Sequence, residues 1–313
     1  MKIKNLLPLL FAIALLMTGC GSGEDNTSQN KTEETKTVTD YAGNIISFEK
    51  MPERVAALSG SFGEIWINAG GDLTATTNDA VTERGLELGD DVDIVGTIKE
   101  PDLEALLASE PDFVILSADI TSHGEIARTL RDMGIACGLF HVEYFDDYLD
   151  LLKQFSNLTG RQDLYEKNGK DVQTRINEVL KDAPNLSGKT ALLLRAYSSG
   201  FKAKDSENMA GAMLSDFGLE NILDKYDSLI EDISVEEIIS ADPDYIFVTT
   251  MGSDVQAAID NLESALTLNP AWSGLEAVKE KRYFILPQEL FHYKPNNRWD
   301  ESYAYLKNIL SNP

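Results

Sequence analysis

The distribution of apolar and polar positions divides the chain into three regions. From Leu6 to Met17 nearly every residue is apolar, from Gly21 to Thr37 none carries an apolar side chain, and beyond that short apolar runs recur between turn residues. The third region contains a repeat. Leu103–Leu116 reads LEALLASEPDFVIL and Val235–Val248 reads VEEIISADPDYIFV, the same layout at an offset of 132 residues. Each copy predicts a short amphipathic helix, a Pro-Asp turn and a β-run. The proline after Glu110 or Asp242 ends the helix, because the residue before proline is pushed out of the α region. The run that follows does not alternate and is rich in β-branched and aromatic residues, as expected of a parallel strand covered on both faces. Two copies predict two similar α/β lobes with central parallel sheets.

The remaining pattern fits that plan. Arg54–Leu58 and Thr190–Leu194 read as the first core strands of the lobes, each followed by a Ser/Gly loop and a helix. Phe145–Leu158 predicts one helix. Gly160–Lys181 predicts a second, long and polar, with Leu164, Tyr165, Val172, Ile176 and Leu180 forming a narrow apolar stripe. A narrow stripe means one-sided contact, so this helix reads as a connector lying across both lobes and ended by Pro184. A last strand is expected at Tyr283–Leu286 and a closing helix at Trp299–Leu310. The expected boundaries are 38–159 for the N-terminal lobe, 160–183 for the connector and 184–313 for the C-terminal lobe.

The first region is too short to cross a bilayer, which needs about 20 apolar residues. With Lys2 and Lys4 before it and Thr18-Gly19-Cys20 after it, residues 1–19 read as a secretory signal. The junction resembles a bacterial lipobox, with Met17 where Leu is usual. Cys20 is then the lipidated N-terminus and residues 20–37 a disordered tether; the alternative is an ordinary signal with Cys20 incidental. Either way the body is extracytoplasmic, and lipidation would hold it at the cell membrane. Loss of Lys2 and Lys4 takes the net charge from −25 to −27. Nucleic acid and anionic membrane surfaces are therefore poor partners for the body. Cys137, the second cysteine, lies in the apolar stretch Ile135–Phe140 and reads as a buried small hydrophobe.

Several segments, taken in order, resemble the class III solute-binding proteins, which capture ferric siderophores, haem and cobalamin for ABC importers. They are Thr39–Gly43 with Pro52–Val55, the Ser59–Ile65 loop-to-helix segment, the Glu-Pro-Asp and Asp-Pro-Asp units, Asn269–Trp272 and Ala277–Tyr283. The resemblance covers about residues 37 to 312. It implies two Rossmann-like lobes bridged by one long helix, a ligand in the cleft between them, an ABC permease as partner and a monomeric body. It also implies an exposed docking glutamate on each lobe. Glu64 matches the N-lobe position, read otherwise as a plain solvated helix residue. In the C-lobe Ala212 stands where the glutamate is expected, leaving Glu207 or Asp216 as substitutes.

Ligands sit where loops converge at the carboxyl ends of parallel strands. After the C-lobe's first strand comes Arg195–Lys204, with Arg195, Lys202 and Lys204 beside Tyr197 and Phe201. Such a segment suits an anionic iron chelate: arginine forks onto oxygens and aromatics cover a flat face. A solvated turn with Arg195 paired to an acid is the other reading. Ser59, Ser61, Asn78, His123 and Tyr144 follow predicted N-lobe strands and are candidates to face the cleft. His292 and Tyr293, in an aromatic and basic loop, are candidate axial ligands to iron or hydrogen-bond donors, and His292 reads equally as a helix cap. Met209 and Met251 are thioether candidates on a haem reading, or core packing.

Three histidines in all argue against a free-ion site for zinc or manganese, and no cofactor or directly bound metal is expected. No nucleophile motif with a histidine, Gly-Lys-Ser/Thr loop or Gly-x-Gly-x-x-Gly after a strand is present, so an enzyme is not expected. The leading expectation is delivery of a ferric siderophore to an importer. Haem or cobalamin binding, and a surface sensor sharing the fold, are the alternatives.

Overall fold

Asp40 closes the first element pair. Strands β1 (Lys36–Thr39) and β2 (Ile45–Phe48) form an antiparallel hairpin, and the Asp40 carboxylate accepts the backbone N–H groups of Ala42 and Asn44 at 3.0 and 2.9 Å. This is a computed structural model that describes residues 36–225 and 233–311. The predicted signal, Cys20 and the tether up to residue 35 lie outside the described residues.

The chain then builds a wholly parallel sheet from β3 (Val55–Ala57), β4 (Ala75–Thr76), β5 (Asp93–Ile94), β6 (Phe113–Ser117) and β7 (Ala136–Phe140), in the order β5-β4-β3-β6-β7. Helices α1 (Gly60–Asn68), α2 (Asp79–Thr82), α3 (Leu103–Ala108) and α4 (Thr121–Asp132) alternate with these strands, and α5 (Phe145–Thr159) follows. Next come α6 (Gln162–Tyr165), a π-helical turn at Glu166–Lys170 and α7 (Asp171–Lys181). A second sheet uses β8 (Thr190–Tyr197), β9 (Gly200–Lys204), β10 (Glu220–Asn221), β11 (Tyr245–Thr250) and β12 (Tyr283–Ile285). Its order is β10-β8-β11-β12, parallel throughout, with β9 added antiparallel to β8. Helices α8 (Met209–Asp216), α9 (Val235–Ala241), α10 (Val255–Thr267), α11 (Glu276–Lys279), α12 (Gln288–Phe291) and α13 (Trp299–Ser311) complete the chain.

The repeat falls in different sheets, α3 and β6 in the first, α9 and β11 in the second. Its Pro-Asp aspartates do the same work in each. Asp112 accepts the backbone N–H groups of Glu53 and Arg54 at 2.8 and 3.0 Å, and Asp244 accepts that of Thr190 at 2.9 Å. Each ties the repeat's strand to the start of its neighbour, which fixes register without a tight turn. The residue before each proline is left-handed, with φ of 46° at Glu110 and 40° at Asp242. The helices end there as predicted, but through a left-handed cap rather than an extended residue.

The core of the first half is an edge-to-face aromatic series. Trp66 lies 6.4 Å from Phe113 and 5.4 Å from Phe155, and Phe155 lies 5.5 Å from Phe140. Such contacts add about 0.5–1.5 kcal/mol each beyond the area they bury. Gly71 packs under the Trp66 indole, where an added Cβ would come within 2.1 Å of a ring carbon. The predicted connector is present, with its π-turn tied to α1 by Asn168, which donates to the Asn68 carbonyl at 2.7 Å. Tyr165, Val172 and Ile176 of its stripe are buried, and α7 packs on α13.

Residues 195–204 depart from expectation. Instead of a loop, β8 continues to Tyr197 and returns as β9, pairing Arg195 with Lys202 and Leu193 with Lys204. Nothing in a short apolar run such as Thr190–Leu194 marks how far the strand extends, because Arg195 and Tyr197 beyond it interrupt the apolar pattern while the backbone goes on pairing with β11 and β9.

Candidate functional site

Loops at the carboxyl ends of both sheets enclose a cavity of about 360 Å³. Ser59, Ser61 and Phe62 follow β3, Asp79, Glu83 and Arg84 follow β4, Ile98 and Lys99 follow β5, Ser117 ends β6 and Asp119 and Ile120 follow it, and Val142 follows β7. From the second half come Met251 and Gly252 after β11 and His292, Tyr293 and Lys294 after α12. The volume lies within the range of small-molecule sites, and the position is where parallel sheets bind ligands.

Asp79 shapes the rim. Its carboxylate accepts the Gly60 N–H at 2.7 Å and the Thr77 hydroxyl at 2.5 Å, joining the loops after β3 and β4. Gly60 is required because a Cβ there would stand 2.5 Å from the Ala80 backbone. This close approach aims Ser59 and Ser61 at the cavity.

The second half's loop is fastened to the first. Asn296, fully buried and left-handed at φ 53°, donates through Nδ2 to the Glu64 carboxylate at 2.6 Å and to the Ser61 carbonyl at 3.0 Å. Glu64 is also ion-paired to Arg84. Lys294 meets Glu143 at 2.5 Å, and the other oxygen of Glu143 accepts the Met209 N–H at 2.7 Å, at the N-terminus of α8. The Tyr144 hydroxyl donates to the Glu207 carbonyl at 2.8 Å. A carboxylate at a helix N-terminus satisfies a backbone donor that the helix itself leaves open.

His292 lies against this loop with Nδ1 buried and without a hydrogen-bond partner among the described residues. Burial, with the charges of Arg195 and Lys294, lowers its pKa from an ordinary 6.5 to about 4. The ring is therefore neutral at physiological pH. Between pH 6.5 and 4 the unfolded chain takes up a proton that the fold refuses, so stability falls as pH drops through that window. The full effect is about 3 kcal/mol. Urea midpoints at pH 7, 5 and 4 should fall less steeply for His292→Gln than for the natural chain; equal slopes would show that His292 carries no such penalty.

Of the expected ligand residues, Ser59, Ser61 and His292 line the cavity, as do Met251 and Tyr293. The others lie elsewhere. His123 is fully buried, accepting the Ser117 N–H at Nδ1 (2.9 Å) and donating from Nε2 to the Ile98 carbonyl at 2.8 Å; it braces the β6 end against the loop after β5. Asn78 stands just before α2, outside the lining and without a side-chain capping bond, and Tyr144 joins the halves beside a separate hollow. Arg195, Tyr197, Lys202 and Lys204 belong to the β8–β9 hairpin and do not line the cavity. Met209 is core.

Glu64 is less exposed than a docking residue is expected to be. The Glu64 carboxylate is engaged internally by Arg84 and Asn296 rather than exposed. Glu207 lies exposed just before α8, and Asp216, also exposed, accepts the Tyr303 hydroxyl at 2.6 Å. Sequence reasoning missed Asp79, Arg84, Lys99, Glu143, Lys294 and Asn296. It also passed over Glu104 and Glu236, equivalent positions of the repeat, both exposed at the starts of α3 and α9.

Residues 55–290 match the periplasmic binding protein family. The chain belongs to that family. The Fe(3+)-citrate-binding protein YfmC of Bacillus subtilis (strain 168) is 24% identical over 289 residues, covering 90% of this chain and 89% of the relative. The petrobactin-binding protein YclQ of the same organism is 23% identical over 265 residues, 82% of each chain. A crystal structure of an ABC transporter substrate-binding protein from Listeria monocytogenes EGD-e superimposes with a TM-score of 0.70 at 19% identity, covering 84% of this chain and all of that one. This periplasmic binding protein therefore shares the two-sheet fold of the transport-associated members. No helix among its described residues is long and apolar enough to cross a membrane.

Proposed function

We propose that this chain captures a ferric chelate in the cavity between its sheets and presents it to an ABC permease, tethered through Cys20 to the outer face of the cell membrane and performing no chemistry on its cargo. The observation that carries this reading is a cavity walled by strand-end loops of both halves, in a chain whose relatives bind Fe(3+)-citrate and petrobactin. The anchor rests on the sequence around Cys20 alone.

Docking on a permease built from paired subunits calls for equivalent acids on the two halves. With Glu64 held internally, Glu104 and Glu236 meet that requirement: the repeat places them alike, and both are exposed at the first turn of their helices. Tryptophan fluorescence of the full chain should be quenched saturably by a ferric chelate. Combined Glu104→Lys and Glu236→Lys should keep that quenching yet cut delivery to permease-containing proteoliposomes by roughly tenfold or more, since charge reversal sets like charges face to face. Undiminished delivery would remove these two acids from the docking surface.

One observation supports haem as a second reading. The Met251 thioether and the neutral His292 imidazole share the cavity lining. A haemin Soret shift lost in both Met251→Ala and His292→Ala, without quenching by non-haem chelates, would favour it.

A further inference from the structure

We infer that the cavity is suited to an uncharged or cationic ferric chelate of the hydroxamate type, and unsuited to a polyanionic complex. The inference deepens the chelate reading and rests on it. Arg84, Lys99 and Lys294 line the cavity, but so do Asp79, Glu83 and Asp119. Two of the cations are already matched from behind the wall: Arg84 is ion-paired to Glu64, and Lys294 meets Glu143 at 2.5 Å. The basic segment runs along β8 and β9 outside the lining, and of its cations only Arg195 is close enough for its charge to act on His292. His292 adds no charge at physiological pH. Glu83 reports the local field, since burial and then the neighbouring Asp79 raise its pKa.

Much of the remaining wall is apolar, including Phe62, Ile98, Ile120 and Val142. A polyanion entering this space exchanges hydration for walls whose lining cations already face acids, Arg84 against Glu64, Lys294 against Glu143 and Lys99 beside Glu83, and a buried charge left unmatched is costly. Three hydroxamates, each losing one proton, cancel the charge of ferric iron and bring methylene linkers that match apolar walls. An appended ammonium would then meet Glu83 or Asp119 at the polar part of the rim.

The test is fluorescence titration of the full chain with three probes: ferrioxamine B, a ferric trihydroxamate with one free ammonium; its N-acetylated, uncharged form; and ferric citrate. Both hydroxamates should bind at least about tenfold more tightly than ferric citrate. Glu83→Gln should narrow the gap between the ammonium and acetylated forms. Ferric citrate binding as tightly as either hydroxamate would overturn the charge assignment while leaving the chelate reading in place. Failure of all three probes to bind would remove both.

Discussion

Asp79→Ala is expected to lower stability by about 2–4 kcal/mol and to abolish binding in the cavity. Asp79 is 4% exposed, and its two oxygens hold the Gly60 N–H and the Thr77 hydroxyl. Without it, two donors are left inside a rim that a backbone contact at Ala80 makes too tight for rearrangement. A buried donor stripped of its partner costs about 1–3 kcal/mol. The loop that aims Ser59 and Ser61 would lose its brace at the same stroke. Asp79→Asn can keep one acceptor oxygen while turning its NH2 toward the other donor, so it should fall between. Urea unfolding and chelate titration on the two variants test this order; an Asp79→Ala protein with unchanged midpoint and affinity would refute it.

Glu143→Ala should loosen the junction between the halves, at a cost of about 2–4 kcal/mol. This side chain is 22% exposed and serves Lys294 with one oxygen and the α8 N-terminus with the other. Removing one partner of a largely buried pair leaves the other charge uncompensated, which is where the large penalties arise. Some of that is offset because Lys294 retains water contact at 24% exposure. Amide exchange at Met209 and Ala210 should accelerate, and scattering should show a larger radius of gyration. Protection at Met209 equal to that of the natural chain would mean that this strap carries no load. The released Lys294 should also shift cargo preference toward anions.

The repeat made two sheets legible before any coordinates, because helix, Pro-Asp turn and apolar run are local signals that tertiary context reinforces. The connector was legible from its stripe for the same reason. The cavity was less so. Strands β4 and β5 have two residues each, too few for any periodicity, and the loops after them supply Asp79, Glu83, Arg84 and Lys99. The Arg195–Lys204 segment reads as a loop because its mixed polar and aromatic pattern conceals a hairpin, which carries it outside the cavity lining. Glu64 misled because a position in a motif says nothing about what closes over it, here an asparagine 232 residues away. The proposed docking pair, Glu104 and Glu236, shares one position of the repeat, which a comparison of its polar as well as its apolar positions brings out.

Asn296 belongs to one half by chain order and to the other by contact. Prising the molecule open must either pull residues 292–296 away from their own half or extract an enclosed amide from α1. Separating the halves therefore means freeing this short tongue of backbone together with the Glu143–Met209 and Tyr144–Glu207 ties that cross the same junction, so no one rupture sets the pace of opening.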